Sequence, residues 1–250
     1  MKSQSAVSHD FFINCCTPES AYLLGFLWGD GYLYHRSFVE KRKMKKGISS
    51  YNKHSYHIRI ECCEDDLSSL IPIFEQSGKW TSYRRSPANR KPQLCLSTAN
   101  KVLYDFLSTH NYKIKSGASP EILKIIPEEL IHYWWRGYFD ADGCIYRIKN
   151  SNSGKQVSIS SVYDQDWTAA TDLLDRLGVT YSVRRIVRSE KSRYSEVRFT
   201  SSKSTETFLE YIYSGKEFGL LRKKQTYLKS KCSNSANEIK SVPSISALKD

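Results

Sequence analysis

Two stretches decide the fold of this chain: TPESAYLLGFLWGDGYLY at residues 17–34 and PEELIHYWWRGYFDADGCIYR at residues 127–147. Each begins with a helix-start signature, because Thr17 can cap a helix whose first residue is Pro18, and Pro127 is followed by two glutamates. Each then runs through apolar residues and ends in a small residue, an aspartate and a glycine, a residue that commonly ends helices. The two stretches therefore predict two similar helices.

A second pair of matching segments follows these helices in the same order. EDDLSSLIPIFEQSG at 64–78 matches DQDWTAATDLLDRLG at 164–178, and SYRR at 82–85 matches SVRR at 182–185. Matches in one order indicate an internal duplication, in which two similar halves share one chain. We predict four regions: an N-terminal extension (1–16), a first repeat (17–120), a second repeat (121–230) and a flexible C-terminal tail (231–250).

Between the predicted helices the sequence alternates in the manner of β-strands. In IRIEC at 58–62, QVSIS at 156–160 and EVRFT at 196–200, apolar and polar residues take alternate positions. This pattern is typical of antiparallel sheets with one buried and one polar face. We predict an α/β fold of the α+β type, with the order helix, two strands, helix, two strands, helix in each half. The polar faces of two such sheets could read base edges in a DNA major groove.

Composition narrows the class of protein. The 250 residues include 38 Lys and Arg against 26 Asp and Glu, a net charge of +12 that favours a polyanionic partner such as nucleic acid. The longest apolar stretch, at 21–28, is too short to span a bilayer, and the N-terminus lacks a secretory signal. Seven cysteines occur without a CxxC pair. We therefore expect an intracellular protein with reduced thiols, neither a zinc site nor a disulfide framework.

The basic residues concentrate in one segment. We interpret residues 36–56 as a longer loop of the first half that contacts phosphate, with an ordinary solvated loop as the alternative. Between residues 36 and 59, Glu40 is the one acidic residue. The basic residues of this stretch are Arg36, Lys41, Arg42, Lys43, Lys45, Lys46, Lys53 and Arg59.

Small residues on the two predicted helices allow them to pack closely. Gly25 and Gly29 lie four positions apart in the first helix, as Gly137 and Ala141 do in the second. Small residues at this spacing let two helix backbones approach each other.

Such packing would bring Asp30 and Asp142 together at the helix ends. Two adjacent carboxylates repel unless a cation neutralises them, and carboxylate oxygens suit hard ions such as Mg²⁺. A divalent metal beneath a basic DNA-facing surface suggests hydrolysis of a phosphodiester, with the metal activating water and stabilising the leaving oxygen.

The motifs LLGFLWGDG at 23–31 and WRGYFDADG at 135–143 resemble the two signature motifs of single-chain LAGLIDADG homing endonucleases. The resemblance covers about residues 17–230. The first motif departs at Trp28, where the family pattern has its first acidic residue, but it keeps Asp30.

The resemblance implies a pseudo-symmetric monomer, with two antiparallel sheets forming a saddle over DNA and the motif helices packed at the repeat interface. It implies a site-specific endonuclease that makes a staggered double-strand break in a long asymmetric target. The cofactor would be Mg²⁺, which Mn²⁺ could replace. The metal-binding residues would be Asp30 and Asp142, with the preceding Gly29 and Ala141.

The resemblance also implies a basic residue near each metal centre, late in each repeat. Lys115 is the best match in the first half, with Lys113 as the alternative. Lys223 is the best match in the second half, with Arg222 and Lys224 left open. Such a lysine could orient the attacking water or stabilise charge on the phosphate, or it could only clamp a phosphate.

Candidate DNA contacts come from the predicted strands and the segments beside them. Arginine and glutamine are the natural readers of guanine and adenine edges, so they dominate the set. The candidates are Tyr34, Arg36, Arg59, Glu61, Arg84, Arg85, Gln93, Arg147, Ser158, Arg184, Arg188 and Arg198.

Two other functions are compatible with this scaffold. A maturase would bind its host intron RNA, and a DNA-binding regulator would keep the fold without cleavage. Retention of Asp30 and Asp142 favours the nuclease, acting as a monomer on genomic or organellar DNA. Because the chain lacks the terminal residues that protein splicing uses, we do not expect an intein.

Overall fold

The computed structural model describes residues 6–44, 47–88, 91–147, 155–190 and 192–228. Its helices are α1 (Asp10–Ile13), α2 (Pro18–Asp30), α3 (Leu67–Phe74), α4 (Lys101–Thr109), α5 (Ile131–Asp142), α6 (Thr168–Arg176) and α7 (Ser202–Ile212), and residues 221–228 are also helical. Its strands are β1 (Gly31–Met44), β2 (Gly47–Cys63), β3 (Thr81–Arg85), β4 (Gln93–Ala99), β5 (Gly143–Arg147), β6 (Lys155–Ser161), β7 (Tyr181–Ser189) and β8 (Ser192–Phe199).

The strands form two four-stranded antiparallel sheets with the same topology. The first has the order β1-β2-β4-β3 and the second β5-β6-β8-β7. The same sequence of elements also recurs, from α2 to α4 and from α5 to α7. The predicted α+β class and the repeated element order are therefore confirmed. The repeat boundaries stay a prediction, and residues 231–250 lie outside the described part of the chain.

The two motif helices end alike but begin differently. Thr17 caps α2 as predicted, its Oγ1 accepting a hydrogen bond from the Ser20 backbone N–H at 3.1 Å, with Pro18 as the first helical residue. At α5, a 3₁₀ turn over Glu128–Leu130 separates the predicted start at Pro127 from the observed one at Ile131. Each helix runs directly into a strand that begins with glycine, so its last residue lies at a sheet edge.

The core lies between the sheets and their helices. The alternating strand residues predicted to be buried, such as Ile58 and Ile60 in β2 and Val157 and Val197, are fully enclosed. Every residue of α2 from Glu19 to Trp28 is buried. A helix enclosed on all sides needs no polar face, which explains the unbroken apolar run at its centre.

The basic segment of the first half is a two-stranded ribbon. Strands β1 and β2 pair continuously from Gly31 opposite Ile60 to Met44 opposite Gly47, whereas β4 pairs with β2 over 57–63 alone. The prediction of a loop over 36–56 is therefore wrong. Its apolar residues Phe38 and Val39 are adjacent and both exposed, so the segment shows no apolar alternation, and the strands are defined by backbone pairing. Two of its basic residues, at 45 and 46, lie outside the described residues.

Two further features bear on the class of protein. Over the described ranges, no helix combines the length and apolar character that crossing a bilayer requires. The cysteines at 15, 16, 62, 63, 95 and 144 are free thiols.

Candidate active site

The two motif helices are in backbone contact. A Cβ atom added to Gly25 would lie 1.9 Å from the Trp134 carbonyl oxygen, and one added to Gly137 would lie 2.0 Å from that of Tyr22. Neither position has space for a methyl group. The close approach of α2 and α5 predicted from their small residues is therefore confirmed, and it is nearly symmetric.

This packing brings Asp30 and Asp142 to one place. A Cβ on Gly29 would lie 3.0 Å from Oδ2 of Asp142, across the interface between the helices. Burial raises the pKa of Asp30 to about 6. Burial, and then the negative charge of Asp30, raise the pKa of Asp142 to about 7. Because the carboxyl ends of both helices add partial negative charge, the site favours a bound cation.

Lys115 caps the end of α2. Its Nζ donates hydrogen bonds to the carbonyl oxygens of Leu27 at 3.3 Å, Gly29 at 3.2 Å and Gly31 at 2.7 Å. Burial lowers the pKa of its ammonium group to about 8, against the opposing effect of Asp142 and Asp30. The ammonium group therefore ties the last turn of α2 to the first residue of β1.

Lys223 does the same for α5. Its Nζ donates to the carbonyl oxygens of Phe139 at 2.7 Å, Asp140 at 2.6 Å and Gly143 at 2.7 Å, and its side chain is buried. Burial lowers the pKa of this lysine as well. The two lysines therefore occupy matched places at the centre of the site.

The neighbouring basic residues contact other groups. Lys113 Nζ lies 5.7 Å from the centre of the Tyr104 ring. Arg222 is ion-paired with Asp66, and Lys224 is ion-paired with a glutamate. Of the alternatives that the sequence left open, the geometry therefore favours Lys115 and Lys223.

The inner acidic position of the second motif is structural. Asp140 is fully buried and accepts hydrogen bonds from the Tyr22 hydroxyl at 2.8 Å, the Leu220 N–H at 2.8 Å and the Tyr213 hydroxyl at 3.3 Å. Its counterpart in the first motif, Trp28, packs edge-on against Tyr112 with ring centres 5.2 Å apart. The absence of a carboxylate at Trp28 therefore changes packing and leaves Asp30 in place.

The donor set of this site fits Mg²⁺. That ion is usually held by one or two carboxylates, with water and substrate phosphates completing its shell. Among the described residues, no cluster of three or more His, Cys, Asp or Glu side chains is placed to hold a metal. Asp30 and Asp142 could therefore hold an ion that DNA completes. Gly29 and Ala141 pack against each other, and the Gly29 carbonyl accepts from Lys115, so their role as ligands stays a prediction.

The polar face of the first sheet holds a connected group of predicted DNA contacts. Arg59 lies 2.7 Å from Glu61, which is 3.6 Å from Arg85. The Arg59 guanidinium also covers the rings of Tyr32 and Tyr83. By strand register, the predicted contacts on this face are Tyr34, Arg36, Arg59, Glu61, Arg85 and Gln93.

The second sheet has a comparable polar face. Arg184 is opposite Glu196 in the register, and Arg198 lies 3.2 Å from the same carboxylate while covering the Tyr146 ring. Arg188 lies at a strand irregularity and donates to a tyrosine hydroxyl at 3.1 Å. Arg147 ends β5 opposite Lys155, and its side chain lies outside the described part of the structure.

Two predicted DNA contacts need correction. Arg84 is opposite the buried Leu94 and so shares the helix-covered side of the sheet, where it pairs with Glu64. Successive residues of a strand point to opposite faces, so Arg84 cannot share the face of Arg85. Ser158 is on the polar side but only 5% exposed, between register neighbours on both sides. The alternation of polar and apolar residues predicted the face on which Ser158 lies, but it did not predict that the side chain is buried.

Sequence reasoning missed the pair formed by Asp66 and Arg222. The guanidinium makes two hydrogen bonds to the carboxylate, at 2.6 and 2.9 Å, and joins the two halves beside the site. The repeat alignment contained a partial signal, because it placed Asp66 in the segment that leads into α3. No local pattern indicates a partner in the other half.

Comparisons with known proteins agree with this architecture. The family model of the LAGLIDADG-like domain matches residues 129–213, which include α5 and the whole second sheet. The chain is 28% identical over 199 residues to a Methanocaldococcus jannaschii protein named Probable translation initiation factor IF-2. That match covers 77% of this chain and 15% of the length of the archaeal protein.

Solved structures show the same fold over most of the chain. The LAGLIDADG homing endonuclease I-GzeII in complex with a DNA target is 10% identical, with a TM-score of 0.52 and coverage of 91% of this chain and 93% of that one. I-LtrWI bound to target DNA is 14% identical, with a TM-score of 0.51 and coverage of 89% and 91%. An I-DmoI variant with its target DNA and manganese is 17% identical, with a TM-score of 0.50 and coverage of 81% and 96%. The chain therefore has the fold of these LAGLIDADG homing endonucleases, and residues 129–213 are similar to the LAGLIDADG-like domain.

Proposed function

We propose that this chain is a site-specific DNA endonuclease that cleaves both strands of a long asymmetric target with Mg²⁺. The observation that carries the proposal is the meeting of Asp30 and Asp142 at the ends of two packed helices, one capped by the half-buried Lys115 and the other by the buried Lys223. Two partly buried carboxylates that face each other destabilise the metal-free protein, so neither a structural ion pair nor an ordinary surface position explains them.

The structural neighbours support the choice of substrate and cofactor. Two of them are homing endonucleases bound to DNA targets, and a third was solved with target DNA and manganese. A divalent ion at the carboxylate pair is therefore consistent with the fold, and we propose Mg²⁺ as the physiological ion, with Mn²⁺ as a substitute.

Asp30 and Asp142 would hold the metal, with phosphate oxygens of the DNA completing its shell. When bound, Mg²⁺ would lower the pKa of a water molecule and stabilise the leaving oxygen. The carboxylates would fix the position of the reacting phosphates between the two sheets. Because each carboxylate ends a helix that runs into its own sheet, the position of the DNA on the sheets would determine which phosphates reach the site.

The lysines would act mainly through their charge. A lysine ammonium has three donor hydrogens, and those of Lys115 and Lys223 are each engaged by three backbone carbonyls. Neither can donate to a phosphate without giving up a helix-end hydrogen bond. We infer that they hold the helix ends in place and offset the negative charge of the carboxylates and the phosphates.

The two polar faces would bind the DNA on either side of the cleavage centre. They differ in composition and length, since the first carries a ribbon that the second lacks among the described residues. Different faces predict an asymmetric target, and two matched carboxylates predict one cut in each strand, with staggered ends as the resemblance implies.

The test is cleavage of a randomised DNA library, with sequencing of the ends, in Mg²⁺ and in Ca²⁺. Recurrent double-strand breaks at one extended sequence in Mg²⁺ and not in Ca²⁺ would establish the activity and give the target. No cleavage across well-sampled sequence, together with tight binding of a structured intron RNA, would replace the proposal with the maturase function.

A further inference from the structure

Two short segments, one carrying Lys115 and the other carrying Lys223, are each held by hydrogen bonds from the opposite half of the molecule. In the second half, Arg222 precedes Lys223 and donates two hydrogen bonds, at 2.6 and 2.9 Å, to Asp66 of the first half. Asp66 is 5% exposed and lies just before α3. The segment that carries Lys223 is therefore tied to the first half one residue from the lysine.

The first half shows the reciprocal arrangement. Its lysine, Lys115, is followed by Gly117, whose N–H donates to the Asp164 carbonyl of the second half at 2.8 Å. The Gln165 side-chain amide donates to the Ala118 carbonyl at 2.6 Å. Gln165 is 4% exposed and its own carbonyl accepts from Ser161 at 2.9 Å, so it is a fixed group.

The two braces come from corresponding places in the repeats. Gln165 lies in the short segment between β6 and α6, and Asp66 lies in that between β2 and α3. The chemistry differs, because one brace is an ion pair and the other an amide-to-carbonyl hydrogen bond. In the alignment of residues 64–78 with 164–178, Gln165 matches Asp65 and Asp66 matches Asp166, so the two contacts come from the same short segment of each half, one position apart.

Each of these lysines serves one helix end. Lys223 Nζ donates to the carbonyl oxygens of Asp140 and Gly143, which lie on either side of Asp142 in the chain. Lys115 Nζ donates to those of Gly29 and Gly31, on either side of Asp30. Loss of one contact between the halves should therefore disturb one carboxylate more than the other.

We propose that Asp66 and Gln165 are positioning residues, each holding the lysine segment of the opposite half against the carboxylate centre. Neither would touch the DNA or the metal. The effect on cleavage rests on the proposed endonuclease function. Displacement of Lys223 would weaken one of the two strand cuts, and displacement of Lys115 would weaken the other.

Strand-resolved cleavage tests this assignment. The target duplex carries a different fluorophore on each strand, and both cutting rates are measured for Asp66→Asn and Gln165→Ala. We expect each variant to slow one strand about tenfold more than the other, as loss of an outer positioning contact does, with opposite strands affected in the two variants. Asp66→Glu, which keeps the charge, should restore much of the lost rate.

A matched control lies next to Asp66. Asp65 forms an exposed ion pair with Lys91, so Asp65→Asn removes a carboxylate one residue away and should leave both strand rates unchanged. Equal slowing of both strands by Asp66→Asn, or slowing of the same strand by both variants, would overturn the proposal, because general loss of stability acts on both cuts.

A second readout does not need cleavage. In protein with ¹³Cε-labelled lysine, the Lys223 and Lys115 signals are assigned with Lys→Arg variants. Asp66→Asn should shift the Lys223 signal and leave that of Lys115, and Gln165→Ala should do the reverse. Unmoved signals would reject the bracing itself, whereas selective shifts in a protein that cuts no DNA would reject only the proposed function.

Discussion

The helices α2 and α5 pack against each other and end alike, yet they differ at the inner position two residues before the last aspartate of each motif. In α5 that residue is Asp140, which ties Tyr22 of the first half and Leu220 of the C-terminal segment together. In α2 it is Trp28, which fills the equivalent space with an aromatic ring. The inner acidic position of α5 therefore organises the surrounding chain, whereas the last aspartate of each motif belongs to the site.

The largest expected effect comes from making the first helix like the second. Trp28→Asp removes a buried indole and places a carboxylate among Tyr112 and Trp134, which do not replace the partners of Asp140. We expect a loss of about 4 kcal/mol or more in the free energy of unfolding, measured with urea. Trp28→Phe should cost much less, and a similar small cost for both variants would contradict this comparison.

The next largest effect should be the same in both halves. Gly25→Ala and Gly137→Ala each force a methyl group against a carbonyl of the partner helix. We expect each to lower the free energy of unfolding by about 2–3 kcal/mol. Gly117→Ala is the control, because the space around Gly117 is open and only its φ of +66° would strain an alanine. We expect that variant to lose about 1 kcal/mol in the free energy of unfolding. Clearly unequal costs at 25 and 137 would show that the helix contact is not symmetric.

A smaller effect, an increase in the free energy of unfolding, is expected when either carboxylate of the site is replaced by an amide, and its size should differ between Asp30 and Asp142. Their folded pKa values, about 6 and about 7, exceed the ordinary 3.8, so the metal-free protein loses stability as pH rises through these values. At pH 8 in EDTA, Asp142→Asn should raise the free energy of unfolding by about 2 kcal/mol and Asp30→Asn by less. At pH 3, where both carboxyls are protonated in either state, the gain should vanish.

Two observations check this linkage. Asp65→Asn, a change at an exposed carboxylate whose pKa is lowered by Lys91, should give no such gain at pH 8. Added Mg²⁺ should stabilise the unaltered protein relative to the two Asn variants. A loss of stability in Asp142→Asn at pH 8 would contradict the conclusion that burial and the charge of Asp30 together destabilise the ionised Asp142 carboxylate.

The smallest effect concerns the two polar faces. Arg36 lies on the exposed ribbon of the first half, with its guanidinium over the Tyr34 ring, and Arg184 lies on the shorter face of the second half. If each contacts phosphate, Arg36→Gln and Arg184→Gln should each lower the salt dependence of DNA binding by about one unit of slope in Ca²⁺. A variant that changes neither slope nor base preference would remove its residue from the DNA surface.

Local patterns predicted the features that local physics determines. The cap at Thr17, the helix ends before Gly31 and Gly143, and the buried alternation in β2, β6 and β8 all follow from residue spacing. The approach of Asp30 and Asp142 was predictable because the same motif occurs twice and carries small residues on the side that packs.

The remaining features depend on contacts between distant parts of the chain. The ribbon over 36–56 lacks an alternation of apolar and polar residues, so its pairing leaves no periodicity in the sequence. The burial of Ser158 depends on neighbouring strands, and the side taken by Arg84 depends on the exact register of β3. The bond between Asp66 and Arg222 joins positions in different halves, where no spacing rule applies.

Under the proposed function, Asp30 and Asp142 form one metal-dependent cleavage centre. Asp30→Asn and Asp142→Asn are compared with the unaltered protein on supercoiled plasmid containing the recovered target, with DNA binding measured in parallel in Ca²⁺. We expect that neither variant produces linear DNA in Mg²⁺ and that both still bind the target. Unchanged double-strand cleavage by either variant would contradict it.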